Sequence, residues 1–445
     1  MRRNRRTNLR RFSLVAAAAL LLAGCMGGGG GGGDDTSDGV IRIASAETDA
    51  KAMEALTAAG AEYEEQTGTK VVFEAIPLTD IYTKVNATYG TSAEYNAFIT
   101  GFVGHISLFQ GEDKLVPVDD IVESLGGEQD FYNGDILFPI ENKTYWIPFD
   151  YNIASGFIRQ DWLDEAGLEV PTNWNELREV VTAFDERSAE EYGMMMPLKA
   201  DDSSNWITSQ VLWANNVRIF DDEWNVILDS PEMLPRVVES LELLVDLHEH
   251  MPPQAGNASY PEVIESFVSG QSGITFYSGR LIDVMNVQAP DAAENVASFG
   301  FPMADGEGVT AGLGYDGLAV MDTTESEETL EFVQWFYENK LVDLYASAPY
   351  HYLPAQKSVY ESEEWRSLPT LDLYWEQIME PAHDLISNEN MHSIDTDGPS
   401  VDLRSGEVFQ SMLFPEMYQR VTLNGEDPAA VVKDTAKQIR ELTEN

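Results

Sequence analysis

The chain has 445 residues, 76 of them acidic and 27 basic, for a formal net charge of −49, and it holds a single cysteine. A surface this acidic argues against nucleic acid and anionic membranes as partners, and one cysteine excludes an internal disulfide. Hydrophobic residues at 43% and aromatics at 10%, with the acids spread evenly among them, exclude an acidic disordered chain.

Residues 1–24 read as an export signal. Arg2, Arg3, Arg5, Arg6, Arg10 and Arg11 precede an apolar run from Leu14 to Ala23, which is shorter than the roughly 20 residues a bilayer span needs. Arg10-Arg11-Phe12-Ser13-Leu14 loosely resembles a twin-arginine signal, with Ser13 where an apolar residue is usual, so the export route stays open. Leu22-Ala23-Gly24-Cys25 resembles the lipobox of prokaryotic lipoproteins, which implies that Cys25 receives a diacylglyceryl group. Residues 25–39, with glycine from Gly27 to Gly33, have few side chains to bury and read as a flexible tether. Without the leader and its six arginines, 21 basic residues face 76 acidic ones, a charge of −55. Such self-repulsion is tolerable in molar salt, where the Debye length is about 3 Å, and it points to a halophilic prokaryote, archaeal on this reading.

The body from Val40 onward exceeds what one hydrophobic core usually serves, so two domains are expected. Short apolar strands alternate with amphipathic helices: strand Val40 to Ala44, helix Ala50 to Gln66, strand Lys70 to Ile76, helix Asp80 to Tyr89, strand Ala97 to Gly101. This alternation predicts an α/β fold with mostly parallel sheets. Gly68 and Gly167 stand where helices end, and longer helices are expected at Pro231 to Glu249, Ser326 to Asn339 and Asp427 to Thr443.

Ile147-Pro148-Phe149-Asp150-Tyr151-Asn152, then Arg159-Gln160-Asp161-Trp162-Leu163-Asp164-Glu165-Ala166-Gly167-Leu168 and Pro171-Thr172-Asn173-Trp174 form an ordered set. With Phe267 to Phe276, Gly312 to Val320 and Tyr352-Leu353-Pro354-Ala355, it resembles the family 1 extracellular solute-binding proteins, receptors of ABC importers that include the maltose-binding type. The resemblance implies a two-lobed periplasmic-binding-protein-like fold of type II, with a ligand cleft between lobes joined by crossing hinge strands. Lobe one would take residues 40–148 plus 299–349, and lobe two 149–298 plus 350–445, with Pro148 to Asn152 as one hinge.

Chemistry of turnover finds little support in the residues. His248-Glu249-His250 lacks the helical spacing of a zinc site. Asp201-Asp202 and Asp221-Asp222 read as surface charge, and Asp395-Thr396-Asp397-Gly398 as a turn without the ligands of a calcium loop. No catalytic residue, cofactor or metal is expected.

Recognition is better supported, because sugar hydroxyls need planar polar partners and sugar C–H faces pack on flat rings. Trp206, Tyr277, Tyr315 and Tyr350 with Tyr352 are the aromatic candidates, Trp206 and Tyr277 being expected to have few core neighbours; Trp213 and Trp335 read as core. Loops after parallel strands open into a cleft, which selects Glu47, Thr48 and Phe102; Asp150 and Asp316 join them from the hinge motif and the Gly-rich segment. Arg280 stands near a position where the family often has an aromatic; it could hold an anion or a structural ion pair. These expectations describe a monomeric, lipid-anchored receptor on the outer face of the cytoplasmic membrane that passes a small solute, best a carbohydrate, to ABC permease subunits. A secreted carbohydrate-active hydrolase and a receptor for an anionic solute such as a glycerol phosphate are the alternatives.

Overall fold

The computed structural model describes residues 39–134, 143–387 and 390–443. The leader, Cys25 and most of the tether lie outside them. The chain opens with β1 (Val40–Ser45), a helix Ala50–Thr67 and β2 (Lys70–Ala75). That helix starts where the Asp49 side chain accepts from the N–H groups of Lys51 and Ala52, and it stops at Gly68, whose φ of 85° is left-handed. Its apolar positions Ala52, Leu56, Ala59 and Tyr63 recur at helical spacing and are buried.

After β3 (Ala97–Thr100), strand β4 (Ile147–Tyr151) runs into β5 (Ser155–Arg159). Next come β6 (Tyr192–Met195), β7 (Ser272–Tyr277), β8 (Val296–Phe299), β9 (Phe301–Pro302), β10 (Val309–Gly312), β11 (Tyr315–Val320), β12 (Leu353–Pro354) and β13 (Met391–His392). One sheet has the order β12-β4-β11-β3-β1-β2, a second β6-β7-β5-β8, and a small third β13-β10-β9.

The expectation of mostly parallel sheets is corrected. β1 is parallel to β2 and β3, and β6 to β7, but β11 runs against β3 and β4, β12 against β4, and β5 against β7 and β8. The antiparallel strands are partners far apart in sequence, as in Asp316 with Asp150 and Tyr277 with Ser155, brought together where the chain leaves one sheet and later returns, so local strand–helix alternation does not set their direction.

Two crossings define the hinge. The first is Asn152-Ile153-Ala154, between β4 and β5; the second is Leu313-Gly314, before β11. They pair with each other, Asn152 N–H donating to the Gly314 carbonyl at 3.0 Å and Ala154 N–H to the Gly312 carbonyl at 2.9 Å. A Cβ on Gly314 would fall 2.4 Å from Asn152 Oδ1 and 2.6 Å from the Trp206 ring, so only glycine fits between these groups.

Register then decides what meets at this edge. Ser45 pairs with Ile99, Thr100 with Gly317, Asp316 with Asp150, and Tyr151 with Leu353. The carboxyl ends of β1, β3 and β4 and the amino ends of β11 and β12 therefore share one edge of the first sheet. In the second sheet Tyr277, at the end of β7, pairs with Ser155, the first residue after the hinge crossing. Both sheets thus present loop-bearing ends beside the hinge.

Candidate functional site

The Ser45 hydroxyl, at the end of β1, donates to the Glu47 carbonyl at 3.0 Å, in a turn that buries Glu47 to 8% exposure and leaves Thr48 and Asp49 in solvent. Glu47 Oε2 accepts from Arg280 at 2.8 Å and from the Tyr352 hydroxyl at 2.7 Å. Arg280 opens the helix Arg280–Gln288 that follows β7, so this ion pair joins the two sheets. Its guanidinium also lies 5.8 Å from the centre of the Tyr352 ring.

Asp150 and Asp316 face each other across the β4–β11 ladder, whose register shifts at Asp316 and Gly317. Bulges of this kind re-aim side chains. Asp316 N–H donates to Asp150 Oδ1 at 2.7 Å, and Asn152 Nδ2 donates to Asp316 Oδ2 at 2.6 Å. His351, just before β12, directs Nε2 between Glu47 Oε1 at 3.8 Å and Asp316 Oδ2 at 3.9 Å. Asp150 Oδ2 and His351 Nε2 are buried without a hydrogen-bond partner. An unmade hydrogen bond at a buried polar atom costs about 1–3 kcal/mol, so such atoms mark a place for a ligand.

The charges here are unequal in fate. Burial would push Glu47 up, but the Arg280 charge, with His351 and Tyr352 beside it, holds its carboxyl well below the usual range. Asp150 and Asp316 are pushed well up, first by burial and then by neighbouring carboxylates. Burial, and next the Arg280 charge, lower His351 to about 4. One cation thus serves three carboxylates, and the site is rich in hydrogen-bond acceptors.

An aromatic wall stands on the second sheet's side. The Tyr277 ring lies parallel to Tyr260 at 6.0 Å and 7°, and meets Trp206 edge-on at 5.7 Å and 67°. Tyr260 is 46% exposed and begins a helix fixed by a Ser259–Glu262 capping box. Trp206 sits in a π-helical turn, Ser204–Thr208, held by Ser204 and Thr208 hydroxyls donating to the Pro197 carbonyl; its buried Nε1 lacks a partner.

The structure therefore brings together Glu47, Asp150, Asp316 and Arg280, with Trp206 and Tyr277 close to them through Gly314 and Arg280. It leaves others elsewhere. Thr48 is exposed, and Phe102 packs on Phe409 with ring centres 4.3 Å apart. Tyr315 lies in a strand instead of a Gly-rich turn, its ring against Trp146 and its hydroxyl 3.5 Å from Asp395. Tyr350 gives its hydroxyl to the Thr370 carbonyl and packs on Tyr374. Tyr277 is 6% exposed and part of the core, so the expectation of few core neighbours is corrected for it.

Of three acids read as surface charge or turn, Asp202 and Asp395 are in fact buried and Asp397 is half-buried. Asp202 is 8% exposed; Asp395 accepts from Gly104 N–H at 3.0 Å, and Asp397 from the N–H groups of Ile219 and Phe220. The sequence reading missed His351, Asn152, Ser278 and Tyr260. For His351 a signal existed, since it immediately precedes the Tyr352-Leu353-Pro354-Ala355 segment and so falls at a strand's end.

The chain matches the family described as bacterial extracellular solute-binding protein over residues 45–342, and it belongs to that family. A relative, the putative ABC transporter periplasmic-binding protein YcjN of Escherichia coli K12, is 26% identical over 331 residues, 72% of each chain. Among solved structures, a solute-binding protein from Agrobacterium radiobacter K84 in complex with ribitol superposes with a TM-score of 0.74 at 19% identity, over 92% of this chain and 99% of that one. A sugar transporter protein from Arthrobacter chlorophenolicus A6 with bound laminaribiose gives 0.74 at 15%, over 91% and 99%. Maltose-bound MalE3 of T. maritima gives 0.73 at 16%, over 91% and 99%. The fold is thus that of periplasmic binding proteins, and the protein is a solute-binding protein.

Proposed function

We propose that the protein is the extracytoplasmic receptor of an ABC importer and that it binds a neutral polyhydroxylated solute, a sugar or polyol, without transforming it. One observation carries this reading: a buried, acceptor-rich cluster of Glu47, Asp150, Asp316 and Asn152 adjoins the Trp206 ring at Gly314, and Trp206, Tyr277 and Tyr260 form a continuous run of rings. Hydroxyl groups donate to carboxylates and amide oxygens, while C–H faces pack on rings. The sugars and ribitol in the similar proteins support the class, and the YcjN name supports the importer. Arg280 is already engaged by Glu47, which argues against an anion such as a glycerol phosphate as the solute.

A hydrolase would need an accessible nucleophile. Ser278 lies 3.0 Å from His351 Nδ1, but it is fully buried and the carboxylates stand beyond hydrogen-bond distance of the imidazole. On our reading the two lobes are residues 40–148 plus 299–349 and 149–298 plus 350–445. The molecule is a monomer held outside the cytoplasmic membrane of a halophilic prokaryote by lipid on Cys25, after loss of residues 1–24.

A thermal-shift panel of sugars, polyols, glycerol phosphates, amino acids and peptides in molar KCl tests the solute class: sugars or polyols alone should raise the melting point, and a response confined to anions or peptides would overturn it. Cys25→Ser should leave the protein unprocessed or release it to the medium; a mutant still processed and membrane-bound would remove the lipid anchor from the account.

A further inference from the structure

Glu47, Asp316 and His351 each place one ligand atom within 4.8 Å of the other two, and all three residues are buried. They come from three strand ends: the turn after β1, the start of β11 and the segment two residues before β12. The imidazole is fixed from behind, its Nδ1 lying 3.0 Å from the Ser278 hydroxyl. Its Nε2, on a residue 4% exposed, has no hydrogen-bond partner.

Neither protonation state of Nε2 suits these surroundings. With a proton, it finds its two facing oxygens at 3.8 and 3.9 Å, too far to accept. Without one, its lone pair points between two carboxylates. A cation placed among the three atoms resolves both cases. Ligand atoms about 2.1 Å from a tetrahedral zinc stand roughly 3.4 Å apart, so the two separations to His351 need contract by only about half an ångström, and the three atoms already lie within 4.8 Å of one another.

The remaining contacts match a metal site as well. Glu47 uses Oε2 for Arg280 and Tyr352 and leaves Oε1 toward His351. Asn152 orients the Asp316 carboxylate and Ser278 the imidazole, as outer partners of metal ligands do. Charge points the same way: with Arg280 paired to Glu47, a dication among the ligands would compensate the neighbouring carboxyl groups that Arg280 does not.

We propose that Glu47, Asp316 and His351 form a divalent-cation site of the borderline class, with Zn2+ preferred because one imidazole joins two carboxylates. Three protein ligands would leave a coordination position for a further donor, such as a hydroxyl of the solute. This departs from the sequence-based expectation of no metal, and it does not depend on which solute binds.

The test uses the whole protein, freed of metal with a chelator and titrated calorimetrically with ZnCl2 alone in molar KCl, with MnCl2, CaCl2 and MgCl2 as comparisons. Wild type should bind one Zn2+ per chain. His351→Gln and Asp316→Asn should each weaken that binding at least tenfold, whereas Asp222→Asn, on the exposed surface, should leave it unchanged. If His351→Gln does not fold, Ser278→Ala keeps every ligand and should still weaken binding about 10- to 100-fold. Absence of a one-to-one event in wild type, or Zn2+ affinity equal in wild type and in the folded His351 or Ser278 variant, overturns the proposal and leaves only ions scattered on an acidic surface. No sugar is present in the titration, so its failure is distinguishable from failure of the solute reading.

Discussion

Arg280 and Glu47 form a largely buried ion pair, 2.8 Å long, between the half-buried start of the helix after β7 and the turn after β1. One partner follows a strand of each sheet, so the pair spans the hinge and can hold the two sheets together. Removing one partner of a buried pair costs about 3–5 kcal/mol because the other charge is left uncompensated. A molecule that can open at its hinge has a way to avoid that cost. Glu47→Gln should therefore shift it toward an open form, seen as a larger radius of gyration by small-angle scattering without solute. An unchanged radius would mean that the pair does not control closure.

The aromatic wall separates into two kinds of residue. Tyr260 is exposed and Trp206 half-buried, so Tyr260→Ala and Trp206→Ala should lower solute affinity with little change in the unliganded melting point. Tyr277 is buried in the core, and Tyr277→Ala should cost about 3–5 kcal/mol of the unliganded fold itself. Melts with and without solute check all three. Normal binding by both the Tyr260 and Trp206 variants would remove the wall from the binding site.

Much of this was readable in the sequence, and the failures have identifiable causes. Glu47 followed from the rule that strand ends face a cleft, which also selected Thr48 and Phe102 wrongly, and Asp150 and Asp316 followed from the hinge motif and the Gly-rich segment. Tyr350 and Tyr352 looked equivalent because they are two apart, yet only Tyr352 reaches Glu47. The chain turns between them, His351 and Tyr352 N–H groups both donating to the Ala348 carbonyl, so the period of a strand does not apply. The Tyr352 contact to Glu47 spans 305 positions, and no local pattern predicts such a pairing. The antiparallel ladders were missed for a related reason: a hinge crossing is short and carries no signal beyond its glycines.

Asp202 offers a pH dependence with a definite sign. Burial first, then the charges of Asp201 and Asp395, push its carboxyl up to about 7. Unfolded, the same group titrates near 3.9. The folded state therefore holds the proton more tightly, and its contribution, complete below about pH 4, is lost as pH rises toward 7. Asp202→Asn stays neutral throughout. Relative to wild type it should gain up to about 4 kcal/mol at about pH 8 compared with about pH 4. Denaturant titrations at both pH values measure this, and an equal difference at the two would contradict it.

Salt should act on the whole fold. With a formal charge of −49 on 445 residues, lowering KCl from molar to about 0.1 M lengthens the Debye length from about 3 to 10 Å and exposes the acids to one another. Helical circular dichroism should fall over that range. A melting curve independent of salt would remove the halophilic reading.

The most direct test of the central claim, binding without turnover in the site beside the hinge, is a calorimetric titration of the responding sugar or polyol followed by mass spectrometry of the recovered solute. At 100 times the dissociation constant, wild type should gain about 2.7 kcal/mol of stability by mass action. Asp316→Asn with Trp206→Ala should lose that gain, and the solute should return intact. A hydrolysed or otherwise altered solute, or full binding by the double variant, would contradict the account.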